Sequence, residues 1–438
     1  MRPNILLLNA HDLGRHLSCY GRRTIVTPAL QALSEQGVTF DNSFCTAPQC
    51  SPSRAALHTG RYPHAVGMMG LAHAPFNWRL HPDEQHMAQR LHAVGYETAL
   101  IGNQHLTESR LMLENPAALG FETALPDAPA RELAAQAAAF LSRRAEAARP
   151  FYLEVGFVEP HRPYDWGGAQ PDDSQGVSIP PYIPESPEAR ADFAALQGII
   201  RVMDEGVGII LRALQESGLA DNTWVIFTTD HGVAMPRAKC TLYDPGIETA
   251  LIMHWPGGGL TGGRRVAELV SHVDMAPTML DALGLPIPDT LHGRSYWPLL
   301  QGRAYEPRRE VFAEKTYHTM YEPMRGIRTA THKLIVNFAE DVAINVPADI
   351  QLSPIYPLML GQITQHRPHV ELYALQSDPW EQTNIAGARE VAEVERDLKR
   401  RLFAWMEQTG DPLLRGLPPS PYYHETMRQL RGGDSDAA

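Results

Sequence analysis

Three groups of residues carry chemistry in this sequence. The first is Cys50-Ser51-Pro52-Ser53-Arg54-Ala55-Ala56-Leu57-His58-Thr59-Gly60-Arg61. Pro52 suits a first helical position, where its missing N–H costs nothing, and Ser51 is a good N-cap. Ala55, Ala56 and Leu57 favour a helix, so Cys50 is expected just before a helix N-terminus. Free N–H groups and the helix dipole favour an anion there, and Arg54, one turn in, can point back at the same spot. The other two groups are the pairs His11-Asp12 and Asp230-His231. Each follows a short apolar run, where open α/β sheets place ligand-binding residues. Two strands far apart in sequence that both end in a metal-ligand type of pair point to one shared site.

Those residues need a frame that brings positions 12, 50 and 230 together. Apolar runs at Ile5–Leu8, Glu97–Ile101, Phe151–Val158 and Thr223–Thr229 read as strands. Helical patterns lie between them at Pro28–Glu35, Glu84–Val94, Ala130–Ala148 and Ala189–Ser217. This alternation predicts an α/β fold, a mostly parallel central sheet sandwiched by helices. The Pro/Gly-rich span Tyr164–Pro187 is expected to be a surface loop near the site. Beyond about residue 300, Glu310–Ala313, Met324–Thr329 and Lys333–Asn337 look like strands of a hairpin-rich sheet, and Val391–Gln408 like a closing helix. The expected division is a catalytic α/β domain over 1–305 and a smaller C-terminal α+β subdomain with an antiparallel sheet over 306–438. The tail 431–438 reads as frayed.

With 438 residues, 44% hydrophobic and 20% charged, the chain has an ordinary soluble composition and room for two domains. A net charge of −12 argues against nucleic acid as a partner. It does not argue against an anionic substrate, for which local charge counts. No apolar run approaches the roughly 20 residues that cross a bilayer, so no membrane partner is expected. Asn4–Leu8 is too short for a signal segment and no cleavage site follows, so a cytoplasmic location is expected. Cys19, Cys45, Cys50 and Cys240 lack regular spacing and are expected reduced, modification of Cys50 apart.

The Cys50 stretch has Pro two residues on, Arg four residues on, and Thr-Gly-Arg five residues beyond that Arg. It resembles the signature of the type I sulfatases, of the alkaline phosphatase-like superfamily. Asn222–Gly232, Leu242–Gly246, Ala189–Asp192, Pro323-Met324-Arg325 and Glu371-Leu372-Tyr373 with Asp378-Pro379 extend the resemblance over nearly the whole chain, closest to the sulfamidase branch. Met203–Gly208 also matches, although helix packing accounts for it.

The resemblance implies that a formylglycine-generating enzyme oxidises Cys50 to formylglycine, whose hydrated aldehyde is the nucleophile. It implies one divalent cation held by Asp12, Asp230, His231 and His11, Ca²⁺ by family habit. His11 and His231 stand where Asp and Asn are usual, and imidazole moves the preference towards Mn²⁺ or Zn²⁺. By the same resemblance, His105 and His161 act around the nucleophile and the leaving group, and Lys239 binds the sulfuryl oxygens. Arg54 completes the catalytic set. Asn103 replaces the usual lysine and can donate a hydrogen bond to substrate without adding charge. The implied reaction is hydrolysis of a sulfate ester or N-sulfate (sulfamate) of a saccharide or small molecule. The altered residues at 11, 103 and 231 keep open a phosphonate monoester or phosphodiester hydrolase, and an unmodified Cys50 would mean an inactive sugar-binding relative.

Overall fold

The computed structural model describes residues 2–145, 148–339, 343–416 and 418–430; the tail 431–438, expected to be frayed, lies outside them. Eight strands form the main sheet: β1 (Asn4–Ala10), β2 (Val38–Phe44), β3 (Glu97–Gly102), β4 (Thr123–Leu125), β5 (Phe151–Gly156), β6 (Thr223–Thr229), β7 (Leu251–His254) and β8 (Arg264–Ser271). Their order in space is β4-β3-β5-β1-β6-β7-β2-β8. All pairings are parallel except those of β7, which runs antiparallel to both β6 and β2. The sheet is therefore mostly parallel, as expected.

Strands β1, β5 and β6 are buried along their whole length, which requires cover on both faces. Alternate side chains divide the cover. Leu6, Leu8 and Ala10 face Leu133, Ala137, Leu196, Ile200 and Met203, from the helices Ala130–Arg144 and Pro187–Glu216. Ile5 and Leu7 face Ala55, Leu57, Leu91 and Met279 on the other side. Each such Leu or Ile stabilises the fold by about 1.5–3 kcal/mol. The helix Cys50–Thr59 thus owes its place to Ala55 and Leu57, which hold it against the sheet.

Met203–Gly208 serves helix packing. The Asp204 carboxylate accepts hydrogen bonds from the Ala29 and Leu30 amides, at 2.9 and 2.8 Å, and so caps the helix Pro28–Gln36 across a tertiary contact. The Tyr164–Pro187 span is more anchored than a plain surface loop. Its Tyr164, Tyr182 and Ile183 are buried in the core, because apolar side chains interrupt its Pro/Gly-rich sequence.

A second sheet is wholly antiparallel: β9 (Glu310–Tyr317), β10 (Tyr321–Thr329), β11 (His332–Asn337) and β12 (Val370–Ala374), ordered β12-β11-β10-β9. Its alternation is clean. Phe312, Ile327 and Leu334 pack on Leu398, Leu402 and Trp405 of the helix Ala392–Thr409. Val311, Ala313, Met324 and Ile335 pack on Phe44, Cys45, Leu242 and Ile247 of the main body. One face thus binds its own closing helix and the other joins the two sheets into a common core. The position 305/306 falls in the coil between the short helix Trp297–Leu300 and β9. No helix among the described residues is long and apolar enough to cross a membrane.

Candidate active site

Four adjacent parallel strands end at one level. The register pairs Gly102 with Gly156, Gly156 with Asn9, and Ala10 with Thr229. The residues that follow are Asn103 and His105 after β3, His161 after β5, His11-Asp12 after β1, and Asp230-His231 after β6. The sheet therefore delivers residues from four distant stretches to one edge. The backbone is forced there: Asp12 and His105 lie in the left-handed region, at φ 52° and 55°. Gly232 has no alternative, since a Cβ on it would come within 1.9 Å of the Pro245 carbonyl oxygen.

Cys50 arrives from the second face of the sheet. The helix begins at Cys50 itself, with Gln49 as a cap that makes no side-chain hydrogen bond. This corrects the expected start at Pro52. The Ser51 hydroxyl is engaged elsewhere, accepting from the Ala72 amide at 3.1 Å, so it cannot cap the helix. Cys50 Sγ lies 3.6 Å from His231 Nε2. Arg54 does point back towards the cluster, but it meets the Asp230 carboxylate, with Nε and Nη2 each 3.2 Å from Oδ2.

The side chains of His11, Asp12, Cys50, Asp230 and His231 each place a ligand atom within 4.8 Å of the others, and all five residues are buried. The Asp230 carboxylate is oriented by two backbone amides, those of Asp12 and His231, each 2.9 Å from Oδ1. Asp12 Oδ1 lies 2.8 Å from His11 Nδ1 and 2.9 Å from His231 Nε2. Asp12 Oδ2 accepts from Lys239 Nζ at 2.6 Å. His11 Nε2 continues to His105 Nδ1 at 3.2 Å, and Lys239 Nζ to His161 Nε2 at 3.3 Å. Nine of the ten candidates thus form one connected cluster. Asn103 stands at its edge, buried, with Oδ1 unpartnered.

Burial opposes every charge in this cluster, yet the charges persist by mutual pairing. Burial would raise the Asp12 carboxyl, but Lys239, His11, His161 and His231 hold it well below the usual range. Asp230 is likewise lowered against burial, by His11, His231 and Arg54. Burial would lower Lys239, but Asp12 and Asp349 raise it well above an ordinary lysine. His231 is raised by Asp230 and Asp12 against the same penalty. His161 goes the other way, lowered to about 4 by burial and by Lys239, and burial with His11 lowers His105 well below its ordinary value. Burial pushes the Cys50 thiol well up, so as a plain thiol it would carry its proton at neutral pH.

Two ionised buried carboxylates and two imidazoles converging on one point suit a divalent cation of mixed oxygen and nitrogen preference. The residues present therefore fit a metal. Asp349 was missed from sequence. It sits on the short helix Ala348–Gln351, and its Oδ2 is 2.8 Å from Lys239 Nζ and 3.6 Å from His161 Nε2. No local pattern marks it, since it reaches the site only through the chain's return from the second sheet.

Comparison with known proteins agrees with this geometry. A family described as Sulfatase matches residues 3–285, and one described as N-sulphoglucosamine sulphohydrolase, C-terminal, matches residues 237–356. Human N-sulphoglucosamine sulphohydrolase is 29% identical over 470 aligned positions, covering 94% of this chain and 91% of that protein. The solved structure of BT4656 with its substrate D-glucosamine-2-N,6-O-disulfate superimposes with a TM-score of 0.71 at 19% identity, covering 94% of this chain and 99% of that one. The phosphonate monoester hydrolase of Agrobacterium radiobacter gives 0.69 at 22% identity, over 93% and 96%. At such identities the two solved structures share the fold, and the fold alone.

Proposed function

The chain belongs to the sulfatase family and is a sulfuric ester hydrolase, and we propose that it acts on a sulfated or N-sulfated saccharide through a formylglycine made from Cys50. The observation that carries the reading is the convergence of Cys50 with Asp12, Asp230, His11 and His231 at the ends of β1 and β6. The saccharide class is supported by the similarity to human N-sulphoglucosamine sulphohydrolase and to BT4656, bound to D-glucosamine-2-N,6-O-disulfate.

In this reading Asp12, Asp230, His231 and His11 hold the cation, Ca²⁺ by family habit and Mn²⁺ or Zn²⁺ by the imidazoles. When bound, the cation supplies a Lewis acid for the ester oxygens, and formylglycine supplies a hydrated aldehyde as nucleophile. Arg54 acts through Asp230, whose carboxylate it orients. Lys239 places a buried positive charge on the oxygens of the transferred group. His161, with 27% of its side chain exposed, stands beside the leaving oxygen or nitrogen in this reading. Its lowered pKa leaves it neutral at pH 7, with Nε2 accepting from Lys239 Nζ at 3.3 Å, so Lys239 is the group beside it that carries a proton for the leaving atom. His105, also held neutral, is placed to accept a proton on the opposite side of His11. Asp349 and Lys239 join the region 306–438 to the region 1–305 at the site itself, and this supports treating the two as one catalytic unit.

The test is turnover of an aryl sulfate and of an aryl phosphonate by one cation-loaded preparation, with mass analysis of the peptide that contains Cys50. Sulfate turnover should exceed phosphonate turnover by orders of magnitude, and the peptide should carry formylglycine. A preference for the phosphonate would replace the reading by a phosphonate monoester hydrolase. An unmodified Cys50 in an active preparation would remove the nucleophile proposed here.

A further inference from the structure

A cavity of about 880 Å³ lies between the segment 61–82, which follows the Cys50 helix, and residues 409–412, 418–421, 424 and 428. None of the candidate catalytic residues lines it. Among the described residues its charged and titratable lining is Arg61, Arg79 and Arg428, with His64, His81 and His424, and no carboxylate. Arg61 and His64 are matched by the Glu84 and Glu314 carboxylates, so the charge offered to a ligand lies at the rim, with Arg79. Trp78 and several prolines supply apolar wall.

Two polar groups in this wall lack partners. His64 is buried, and its Nδ1 is taken by the Glu314 carboxylate, so its Nε2 is left without a hydrogen bond. Arg61 pairs with Glu84 through Nη1, yet its Nε is buried and unsatisfied. Buried polar atoms without partners cost stability. Arg79, at the rim, is exposed, and no carboxylate pairs with it among the described residues. The cavity also communicates with the catalytic region. The Tyr317 carbonyl accepts from Gln49, the residue before Cys50, and the Tyr317 hydroxyl donates to the carbonyl of Pro418 in the cavity wall at 2.8 Å.

We propose that this cavity is a second anion site, which holds a sulfate or carboxylate group of a sulfated saccharide chain. The inference rests on the saccharide reading above for its ligand class, and on the cationic lining for its existence. Arg79 and His81 would meet the anion at the rim, with Arg61 in the wall behind them. Trp78 and the prolines would face the apolar sides of the sugar rings.

The test measures binding of a sulfated tetrasaccharide, by calorimetry at low salt, to the Cys50→Ala protein alone and combined with Arg79→Glu or Arg79→Lys. Arg79→Glu should weaken binding by about tenfold or more, and the effect should fade as salt is added. Arg79→Lys, which keeps the charge and guards against a folding artefact, should restore most of the affinity. With Cys50 intact, Arg79→Glu should leave turnover of a small aryl sulfate unchanged. Equal affinity of the three proteins would overturn the proposal, and so would an Arg79 dependence that inorganic sulfate alone reproduces in full. A tetrasaccharide that binds through Arg79 but is never hydrolysed would leave the cavity site standing and sink the saccharide reading. Hydrolysis without any Arg79 dependence would do the reverse.

Discussion

Replacing His58 by leucine should cost the protein about 3 kcal/mol at pH 7 and leave the sheet intact. His58 lies near the far end of the Cys50 helix, and its Nε2 is 3.2 Å from Glu154 Oε1 on β5; the two side chains are 2% and 0% exposed. His86 stacks on the His58 ring at 4.1 Å, and the Tyr152 hydroxyl donates to Glu154 Oε2 at 2.9 Å. Burial alone would raise the Glu154 carboxyl, but His58, with help from His86 and Tyr152, brings it from 4.5 to about 2. That difference corresponds to about 3 kcal/mol. Because the folded value is depressed, this stability is present above pH 4.5 and is lost as pH falls towards 2. In His58→Leu the carboxylate loses its main partner, and a loss of this size is usual for breaking a buried pair. Urea unfolding at pH 7 and pH 4 measures it: the gap between wild type and variant should narrow at the lower pH. The double variant His58→Leu/Glu154→Leu should recover most of the loss, since it leaves no buried charge behind. A single-variant loss under about 1 kcal/mol at pH 7, or a double variant no better than the single, would refute this account of the pair.

Removal of the divalent cation by a chelator should lower the unfolding midpoint, with full recovery when the cation is restored. The expected gain is about 2.7 kcal/mol at a cation concentration a hundred times its Kd, and an unmoved midpoint would mean that Lys239 and the histidines satisfy Asp12 and Asp230 unaided. Asp349→Asn should lower kcat/KM on a sulfated saccharide about tenfold with little change in melting, because Lys239 keeps Asp12 as a partner at 2.6 Å. Unchanged kinetics would make Asp349 a bystander.

The parts of the fold readable in advance were those whose physics is local. β1, β5 and β6 are mainly apolar runs because both sheet faces are covered. β2, β7 and β8 were not visible. Asp41 and Asn42 break the apolar pattern of β2, β7 has only four residues, and β8 opens on two arginines. Their pairing is decided by neighbours far along the chain, which a local pattern does not carry. The site divides in the same way. Asp12, Asp230 and His231 were legible because a strand end announces them, and Cys50 because a helix start does. The start itself was misplaced by two residues, since Ser51 spends its hydroxyl on Ala72. Asp349 was illegible because its role is created only when Lys239 comes within 2.8 Å of it.

All ten residues of the Cys50 helix are buried, and Cys50 itself is 3% exposed. No second enzyme can enclose that sulfur once Asp12 and Asp230 have closed beside it. Under the proposed maturation, conversion of Cys50 has to come before this burial. Under that maturation a molecule that folds first keeps its thiol. Specific activity then becomes a record of how each molecule was made: two preparations of identical sequence and identical fold can differ in active fraction through the speed of their synthesis alone.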